Sequence, residues 1–237
     1  MTPPNAPAVP VIVIGAHGRL GAFARDLLSA SPEFDLVGEY DSGDAWLEQA
    51  GRVGAQLAFE ATRAGLGAEH ATALLDAGLR PVIATSGVTL EQNAALDAHA
   101  RELGLGGLVV PNLSLGIMLL ERACREFAAH LPDASILEEH RPEKVDAPSA
   151  TALELARAVA AARGSTADAD HAEVPIESVR EAGRYAHHEV RLGAPGERLT
   201  LRHDMLGPEA FGPGILSSLR YARTATGMAR GLAAALA

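Results

Sequence analysis

An apolar strand that ends in a glycine-rich turn restricts the fold of this chain more than any other feature. Val9–Ile14 is an apolar run of the kind found in parallel strands that are buried on both faces. The turn Gly15–Gly21 follows with the spacing G-x-x-G-x-x-G, and the pattern predicts a helix from Leu20 to Ser29. Such glycines let the backbone approach a pyrophosphate, although they also occur simply to pack strands against helices.

Strands and helices then alternate, which predicts a doubly wound α/β domain with a parallel sheet and right-handed crossovers. Ligands of such sheets bind beyond the carboxyl ends of the strands, where Gly15, Glu60, Thr85 and Asn112 fall. The predicted strands are Asp35–Tyr40, Leu57–Glu60, Pro81–Ala84 and Gly107–Val110, and the predicted helices are Gly67–Ala77 and a segment that runs from a Thr89–Gln92 capping box to Glu102.

The second half changes to a mixed α+β pattern with a mostly antiparallel sheet. We therefore expect a dinucleotide-binding domain over 1–114 and 212–237, and a second domain over 115–211. The predicted helices are Leu115–His130, Ala152–Arg163 with a Thr151–Glu154 capping box, and a final helix Gly214–Arg223 packed on the first half; the predicted strands are Ser135–Glu139, Ile176–Arg180, Tyr185–Leu192 and Arg198–His203.

Composition excludes some classes of function. A net charge of −10 argues against a DNA- or RNA-binding surface, which needs clustered Lys and Arg. The aromatic content of 4% suits helices packed on a sheet better than an all-β fold. Cys124 is the only cysteine and lies on an apolar helical stripe, so we expect packing rather than chemistry there. Without an apolar leader or a possible internal disulfide, a cytoplasmic location is expected.

Asp41 at the end of the second strand indicates which nicotinamide cofactor binds. An acidic side chain there accepts hydrogen bonds from the adenosine ribose hydroxyls, and Ser42 stands where an arginine would favour a 2′-phosphate. Asp41 and Ser42 together therefore favour NADH, although NADPH stays possible. The alternative is that Asp41 only forms a turn and contacts no cofactor. Arg19 could contact a phosphate or simply face solvent.

A charged segment, residues 138–152, precedes the second-half helix. His140 can exchange a proton near neutral pH, and Lys144 can hold an anion or deliver a proton. The helix start at Ser149–Thr151 offers N–H groups to a carboxylate. From charge alone, a solvated loop is favoured over a binding site, because runs of mixed charge usually face water.

Five motifs are spread along the chain: Gly15–Gly21, Pro111–Gly116, Lys144–Ala152, Ser178–Arg180 and Pro195–His203. On these motifs the chain resembles the 4-hydroxy-tetrahydrodipicolinate reductase family, formerly called dihydrodipicolinate reductase, over nearly its whole length. The resemblance implies a Rossmann-type domain, a second domain with the substrate site and most contacts of a homotetramer, and a C-terminal helix that returns to the first. It implies NAD(P)H-dependent reduction of 4-hydroxy-tetrahydrodipicolinate to tetrahydrodipicolinate, in the diaminopimelate route to lysine.

The same resemblance assigns roles to individual residues. His140 and Lys144 would be the proton-delivering pair, and Ser149, Ala150 and Thr151 would bind a substrate carboxylate, with Arg141 beside them. The implied cofactor-binding residues are Gly15, His17, Gly18, Arg19, Leu20, Gly21, Asp41, Thr62, Ala84, Thr85, Ser86, Gly87, Pro111, Asn112 and Leu113.

The chain departs from the family pattern at four places. Arg141 replaces a second histidine and would either grip a carboxylate or block the pocket. Ala150 replaces a glycine, and the usual Gly-Thr-Thr-Gly segment has Ala84 and Ser86 in place of its first glycine and second threonine. An arginine usual before the last helix is missing around Pro208. Two other functions fit these departures: the same chemistry on another small carboxylated imine or keto compound, and a non-catalytic dinucleotide-binding paralogue.

His187 and His188 suggest a metal site, but adjacent strand residues point to opposite faces and cannot chelate one ion together. No metal is expected.

Overall fold

The computed structural model describes residues 7–41, 43, 45–165 and 174–236. The chain forms two compact units: Met1–Leu113 with Phe211–Ala237, and Ser114–Ala210. Among the described helices, none has the length and apolar character needed to cross a bilayer.

The first unit contains a six-stranded parallel sheet in the order β2-β1-β3-β4-β5-β10. The inner strand β1, next to the edge strand β2, is buried on both faces, as the apolar run Val9–Ile14 predicts. The order reverses around β1, because β2 lies on one side and β3 on the other. The strands are β1 Val9–Ile14, β2 Phe34–Tyr40, β3 Leu57–Glu60, β4 Arg80–Ile83, β5 Gly106–Val109 and β10 Gly227–Arg230.

Helices cover both faces of this sheet. On one face, a core cluster joins Ile12 and Ile14 to Trp46, Leu74 and Leu96. On the other face, α1 packs on β1 and β2, and α7 packs on β3, β4 and β5. The helices are α1 Arg19–Ser29, α2 Trp46–Arg52, α3 Gly67–Asp76, α4 Leu90–Glu102 and α7 Gly212–Thr224.

The second unit is a four-stranded mixed sheet in the order β7-β6-β8-β9, in which only the β6–β7 pair is parallel. Helices α5 and α6 share one core with it, built around Ile136, Leu155, Val159 and Val190. The α+β prediction is therefore confirmed. The elements are α5 Leu115–Phe127, β6 Asp133–His140, α6 Ala150–Ala162, β7 Ile176–Arg180, β8 Ala186–Ala194 and β9 Glu197–Met205.

The predicted start of α6 is wrong. The helix begins at Ala150, and Ser149, not Thr151, is its N-cap: the Ser149 hydroxyl accepts from the Ala152 N–H at 3.2 Å. Ser149 follows Pro148 and is the first residue with a capping side chain after it, so the helix starts two residues before Ala152. The Thr89–Gln92 capping box of α4 does form.

Four short elements of the described residues escaped prediction: α2, β10 and the 3-10 helices Pro208–Phe211 and Leu232–Leu236. One helix was predicted too long. Both α2 and β10 are short and lack a strong hydrophobic period, so tertiary packing creates them. Gly227–Arg230 becomes a strand because its backbone pairs with Gly106–Val109. The helix α5 ends at Phe127, three residues before the predicted His130.

Candidate functional site

The glycine-rich turn has a backbone that only glycine can adopt at its key positions. Gly15 has φ +86°, and a Cβ there would lie 2.6 Å from the Ala61 carbonyl oxygen. A Cβ on Gly21 would overlap the Gly15 carbonyl. Gly18 is the N-cap of α1 without a side-chain cap, so the first-turn N–H groups at Arg19, Leu20 and Gly21 have no intrahelical partner. The turn is thus a backbone cradle with the donors an anion requires.

Asp41 lies where the sequence predicted, immediately after β2. One carboxylate oxygen is 2.7 Å from Nδ1 of His17 in the glycine-rich turn. The side chains of His17 and Asp41 are 68% and 47% exposed, so this pair contributes little to stability. The contact between the turn and Asp41 was not predicted. Ser42, the second half of the cofactor argument, lies outside the described residues.

A fully buried carboxylate marks the end of β3. Glu60 Oε1 accepts from the Thr62 N–H at 3.0 Å, contacts the Thr62 hydroxyl, and lies 3.2 Å from His70 Nδ1. His70 packs edge-on against Trp46, with ring centroids 5.3 Å apart. This network, which was not predicted, holds the chain as it leaves β3. An acidic residue at the end of an apolar strand was its sequence signal.

The loop after β4 contains the next predicted cofactor residues. Ala84 and Thr85 are buried, whereas Ser86 and Gly87 are exposed. The Ser86 carbonyl accepts from the Gly65 N–H at 3.1 Å, so the loops after β3 and β4 are joined. Within the described residues the Thr85 hydroxyl has no protein partner although it is buried. After β5, Pro111 is exposed, Asn112 is partly buried and Leu113 is buried. All these residues follow strands at the carboxyl edge of the sheet.

In the second unit, four residues meet on the face of the sheet that the helices cover. His140 and Ser149 were predicted from the sequence, and Glu138 and His188 were not. Glu138, His140 and His188 are all buried there, and the His140 and His188 rings pack edge to face with centroids 5.3 Å apart. Glu138 contacts His140 Nδ1 and accepts from the Ser149 N–H at 3.3 Å. His188 Nε2 lies 3.3 Å from the Ser149 hydroxyl. Glu138 and His188 were not assigned to the site from sequence.

Arg180 joins this cluster to the loop that contains Lys144. Its guanidinium donates to Glu138 Oε1 at 2.9 Å, to the Lys144 carbonyl at 3.1 Å and to the Asp146 carbonyl at 2.6 Å. Lys144 Nζ in turn lies 2.7 Å and 2.9 Å from the two Asp146 carboxylate oxygens. The structure therefore connects His140 and Lys144 through one carboxylate and one guanidinium.

The charges in this cluster follow from burial and pairing. Burial lowers the pKa of His188 to about 3, so this imidazole is neutral at physiological pH. Burial alone would raise the pKa of Glu138, but hydrogen bonds from His140 and Arg180 outweigh it and hold that pKa well below its usual range. The Lys144 ammonium lowers the pKa of Asp146. The cluster keeps one buried carboxylate ionised beside a neutral imidazole.

The predicted carboxylate-binding residues lie at the start of α6. Ala150 is exposed and Thr151 is partly buried in its first turn. Arg141 is partly buried and lies 6.0 Å from the centre of the Tyr185 ring, with Nε 3.9 Å from Glu143. The guanidinium thus stacks towards an aromatic ring inside the unit. Whether it binds a carboxylate stays a prediction.

The strand argument about His187 and His188 is confirmed. His187 Nδ1 contacts Asp204 at 2.5 Å, whereas His188 points to Ser149 on the other face of the sheet.

Among the described residues, Glu138, His140 and His188 do place ligand atoms within 4.8 Å of one another, a spacing that a metal ion would accept. Arg180 already compensates the Glu138 charge, and a second cation beside that guanidinium would be repelled.

Lys144 is the only lysine of the 237 residues, against 19 arginines, and this count was a sequence signal that went unused. An ammonium can release a proton where a guanidinium cannot.

Burial raises the pKa of the Cys124 thiol to about 12, which agrees with its predicted packing role.

Comparison with known proteins covers almost the whole chain. The family model "Dihydrodipicolinate reductase, N-terminus" matches residues 9–113, and "Dihydrodipicolinate reductase, C-terminus" matches residues 116–235. A 4-hydroxy-tetrahydrodipicolinate reductase of Streptomyces coelicolor is 36% identical over 94% of this chain and 95% of its own length. One of Coxiella burnetii is 34% identical over 90% of this chain and 93% of its own length.

A solved structure agrees with these sequences. Dipicolinate-bound dihydrodipicolinate reductase from Paenisporosarcina sp. TG-14 superposes with a TM-score of 0.82 at 25% identity, over 95% of this chain and 98% of that one. A diaminopimelate dehydrogenase of C. glutamicum shares only the fold, with a TM-score of 0.58 at 15% identity over 96% of this chain and 94% of that one.

Proposed function

The chain belongs to the dihydrodipicolinate reductase family, and we propose that it reduces 4-hydroxy-tetrahydrodipicolinate to tetrahydrodipicolinate with NAD(P)H, in the diaminopimelate route to lysine. One observation carries this proposal: Arg180 and Glu138 connect His140, Lys144 and the start of α6 in one charged cluster. The relatives' printed names and the dipicolinate bound to the superposed reductase support the choice of substrate.

The first unit would hold the dinucleotide through its backbone. The glycine-rich turn fits a pyrophosphate, because the close approach of Gly15 to Ala61 and the uncapped start of α1 leave room and donors for it. When bound, the reduced nicotinamide supplies the hydride. The loops after β3, β4 and β5, with Thr62, Thr85 and Asn112, would orient the cofactor at the carboxyl edge of the sheet.

The second unit would hold the substrate through charges and helix donors. A dicarboxylate needs fixed positive charge and N–H donors, and the start of α6 offers the N–H groups around Ala150 and Thr151. The Lys144 ammonium adds a compact positive charge. Asp146 keeps that ammonium paired until a stronger anion displaces it. The helix start and Lys144 therefore form the proposed carboxylate site.

His140 and Lys144 would deliver the proton that accompanies the hydride. The net reaction exchanges a hydroxyl for hydrogen and releases water, so one proton must come from the protein or solvent. Glu138 stabilises the protonated His140 imidazole, since the two side chains are in direct contact. His188, which is neutral, does not oppose that charge. The pair therefore has the groups that general-acid catalysis requires.

A coupled assay tests the function directly. The purified protein is mixed with dihydrodipicolinate synthase, pyruvate and aspartate semialdehyde, and the loss of NADH or NADPH absorbance is followed. We expect synthase-dependent oxidation well above background. Cofactor binding without oxidation would instead support the non-catalytic paralogue.

Arg141 and Ala150 favour a second candidate substrate class. Ala150 adds an exposed methyl group at the helix start, and Arg141 stacks towards Tyr185 inside the unit. A panel of small carboxylated imines and keto acids, assayed beside the coupled substrate, separates the two candidates. A higher kcat/KM for a panel member would move the proposal to that compound.

We further propose a preference for NADH. The exposed carboxylate of Asp41 at the end of β2 is suited to ribose hydroxyls and repels a 2′-phosphate. The expected result is a lower KM for NADH than for NADPH, and Asp41→Asn should narrow the difference. Equal constants in the wild-type protein would refute the preference.

The family resemblance also supports a cytoplasmic homotetramer. The face of the second sheet opposite α5 and α6 displays alternating charges, including Glu139, Glu189 and Arg202, which pair with one another. Such a face is suited to a polar interface between copies. Light scattering during gel filtration should give about four times the mass of one 24.6 kDa chain. A monomer mass would refute it.

A further inference from the structure

Two charged side chains, Glu138 and Arg180, contact the proposed proton donor His140 and the loop of Lys144. Glu138 precedes His140 by two residues on β6, so both side chains point to the same face of the sheet. Glu138 is fully buried. One of its carboxylate oxygens contacts His140 Nδ1, and the other accepts from Arg180 at 2.9 Å. The carboxylate therefore stands between the imidazole and the guanidinium.

Arg180 extends this connection to the loop of Lys144. Its Nε donates to the Lys144 carbonyl at 3.1 Å, and the terminal nitrogen that reaches Glu138 also donates to the Asp146 carbonyl at 2.6 Å. A planar guanidinium can make these bonds together, whereas a lysine ammonium at the same place lacks the rigid fork. The loop geometry and the Glu138 orientation thus depend on one side chain.

We propose that Glu138 and Arg180 are positioning residues for proton delivery: the carboxylate fixes the tautomer and orientation of His140, and the guanidinium holds that carboxylate in register with the loop of Lys144. This inference rests on the proposed function, because it assigns the pair a purpose only if His140 and Lys144 deliver the proton.

The chemistry of the contact defines the tautomer. An ionised carboxylate only accepts hydrogen bonds, so its contact with Nδ1 requires a proton on that nitrogen. Nε2 then remains as the nitrogen that takes up and releases the transferable proton. The neighbours that face His140 from other strands are His188 on β8, which is neutral, and, through Glu138, Arg180 on β7. His203 on β9 acts on His188 in turn. Glu138 thus supplies the negative charge in direct contact with the imidazole.

The test uses two variants and one matched control. Glu138→Gln keeps the shape of the side chain and removes its charge, and Arg180→Lys keeps the charge and removes the fork. Asp204→Asn is the control, since Asp204 also contacts a histidine, His187, but on the opposite face of the sheet. Turnover, substrate KM, dinucleotide affinity and the pH profile of kcat are measured for all three.

We expect Glu138→Gln to lower kcat about 10- to 100-fold, which is part of what general-acid catalysis contributes. The alkaline limb of its pH profile should move to lower pH, because the imidazolium loses its stabilising charge. Dinucleotide affinity should not change. Arg180→Lys should lower kcat less and leave the limb in place, and Asp204→Asn should match the wild type. A wild-type kcat and pH profile in Glu138→Gln would overturn the inference.

Nitrogen-15 NMR of the imidazoles gives a readout that does not depend on activity. The His140 signals are assigned by their loss in His140→Asn. In the wild-type protein they should show a proton on Nδ1, and in Glu138→Gln a mixture of tautomers. Identical signals in the two proteins would overturn the inference. If Glu138→Gln fails to fold, Arg180→Lys decides: an unchanged kcat there would also overturn it.

The two proposals can fail separately. If the wild-type protein does not oxidise NADH or NADPH in the coupled assay, the proposed function fails, while the NMR spectra still report on the contact of Glu138 with His140. If the wild-type protein is active and Glu138→Gln is equally active, only the positioning inference fails.

Discussion

Glu60 in the first unit and Glu138 in the second are both fully buried, and each lies against a histidine and a backbone N–H. Glu60 has Thr62 and His70 as partners and holds a backbone turn. Glu138 also has Arg180, which connects it to the loop of Lys144. The same pair of residue types therefore positions backbone in one unit and titratable side chains in the other.

This difference extends to the two proposed binding sites. The proposed dinucleotide site uses glycines, strand ends and free N–H groups, for which side-chain chemistry matters little. The proposed substrate site uses His140, Lys144 and the groups that surround them. Substitutions in the first unit should therefore act through binding and stability, and substitutions in the second through turnover.

The largest effect is expected at Lys144. Lys144→Ala should lower kcat by about 10²- to 10⁴-fold, because it removes both a proton-delivering group and the charge that holds the substrate. Dinucleotide affinity should change less than threefold, roughly within 0.5 kcal/mol, because the proposed dinucleotide site is built from residues of the first unit. Steady-state kinetics and calorimetric titration with NADH measure the two quantities. Equal losses in kcat and in dinucleotide affinity would show that Lys144 does not act on turnover alone.

Gly21→Ala should have the opposite signature. Its Cβ would overlap the Gly15 carbonyl, so the turn must open and dinucleotide affinity should fall by more than about 10-fold, a cost of over 1.4 kcal/mol. Gly51→Ala is the matched control: it lies in α2 with open space around it and should stabilise the protein by about 0.5–1 kcal/mol. Wild-type affinity in Gly21→Ala would show that the turn does not hold the cofactor.

The sequence was sufficient for the fold because its signals are local. The apolar strands, the glycine spacing and the Thr89–Gln92 capping box each depend on neighbouring residues. The contacts of Glu138 with Arg180 and of Glu60 with His70 join residues 42 and 10 positions apart, and strand pairing and helix packing bring them together. The strand β10 likewise forms only through pairing with β5. No local pattern contains that information.

Glu60→Gln tests whether the two buried glutamates have different roles. Loss of the charge weakens three contacts with Thr62 and His70, so we expect a loss of about 1–3 kcal/mol in the free energy of unfolding. The kcat of the folded variant should stay within about twofold of the wild type, roughly 0.4 kcal/mol. Urea denaturation and steady-state kinetics measure both. A fall in kcat as large as that of Glu138→Gln would mean that both glutamates serve the reaction.

The smallest effect concerns acid stability. The pKa of His188 is about 3 in the folded protein against 6.5 for an ordinary histidine, so between these values the unfolded chain takes up a proton that the folded protein does not. Stability therefore falls as the pH drops below 6.5, by about 1 kcal/mol on reaching roughly pH 5.5. Thermal melts of His188→Gln should show a flatter pH dependence, while the exposed His130→Gln keeps the wild-type slope. Identical slopes in all three proteins would contradict the burial of a neutral His188.

We propose that the second unit holds the substrate carboxylate with Lys144, and the single lysine of this chain allows a direct test. Protein labelled with ¹³C at the lysine Cε has one lysine signal, which is followed while dipicolinate is added. We predict that the Lys144 signal shifts and saturates with the binding curve that calorimetry gives for the same ligand. Binding of dipicolinate that leaves this signal unmoved would show that Lys144 does not hold the substrate carboxylate.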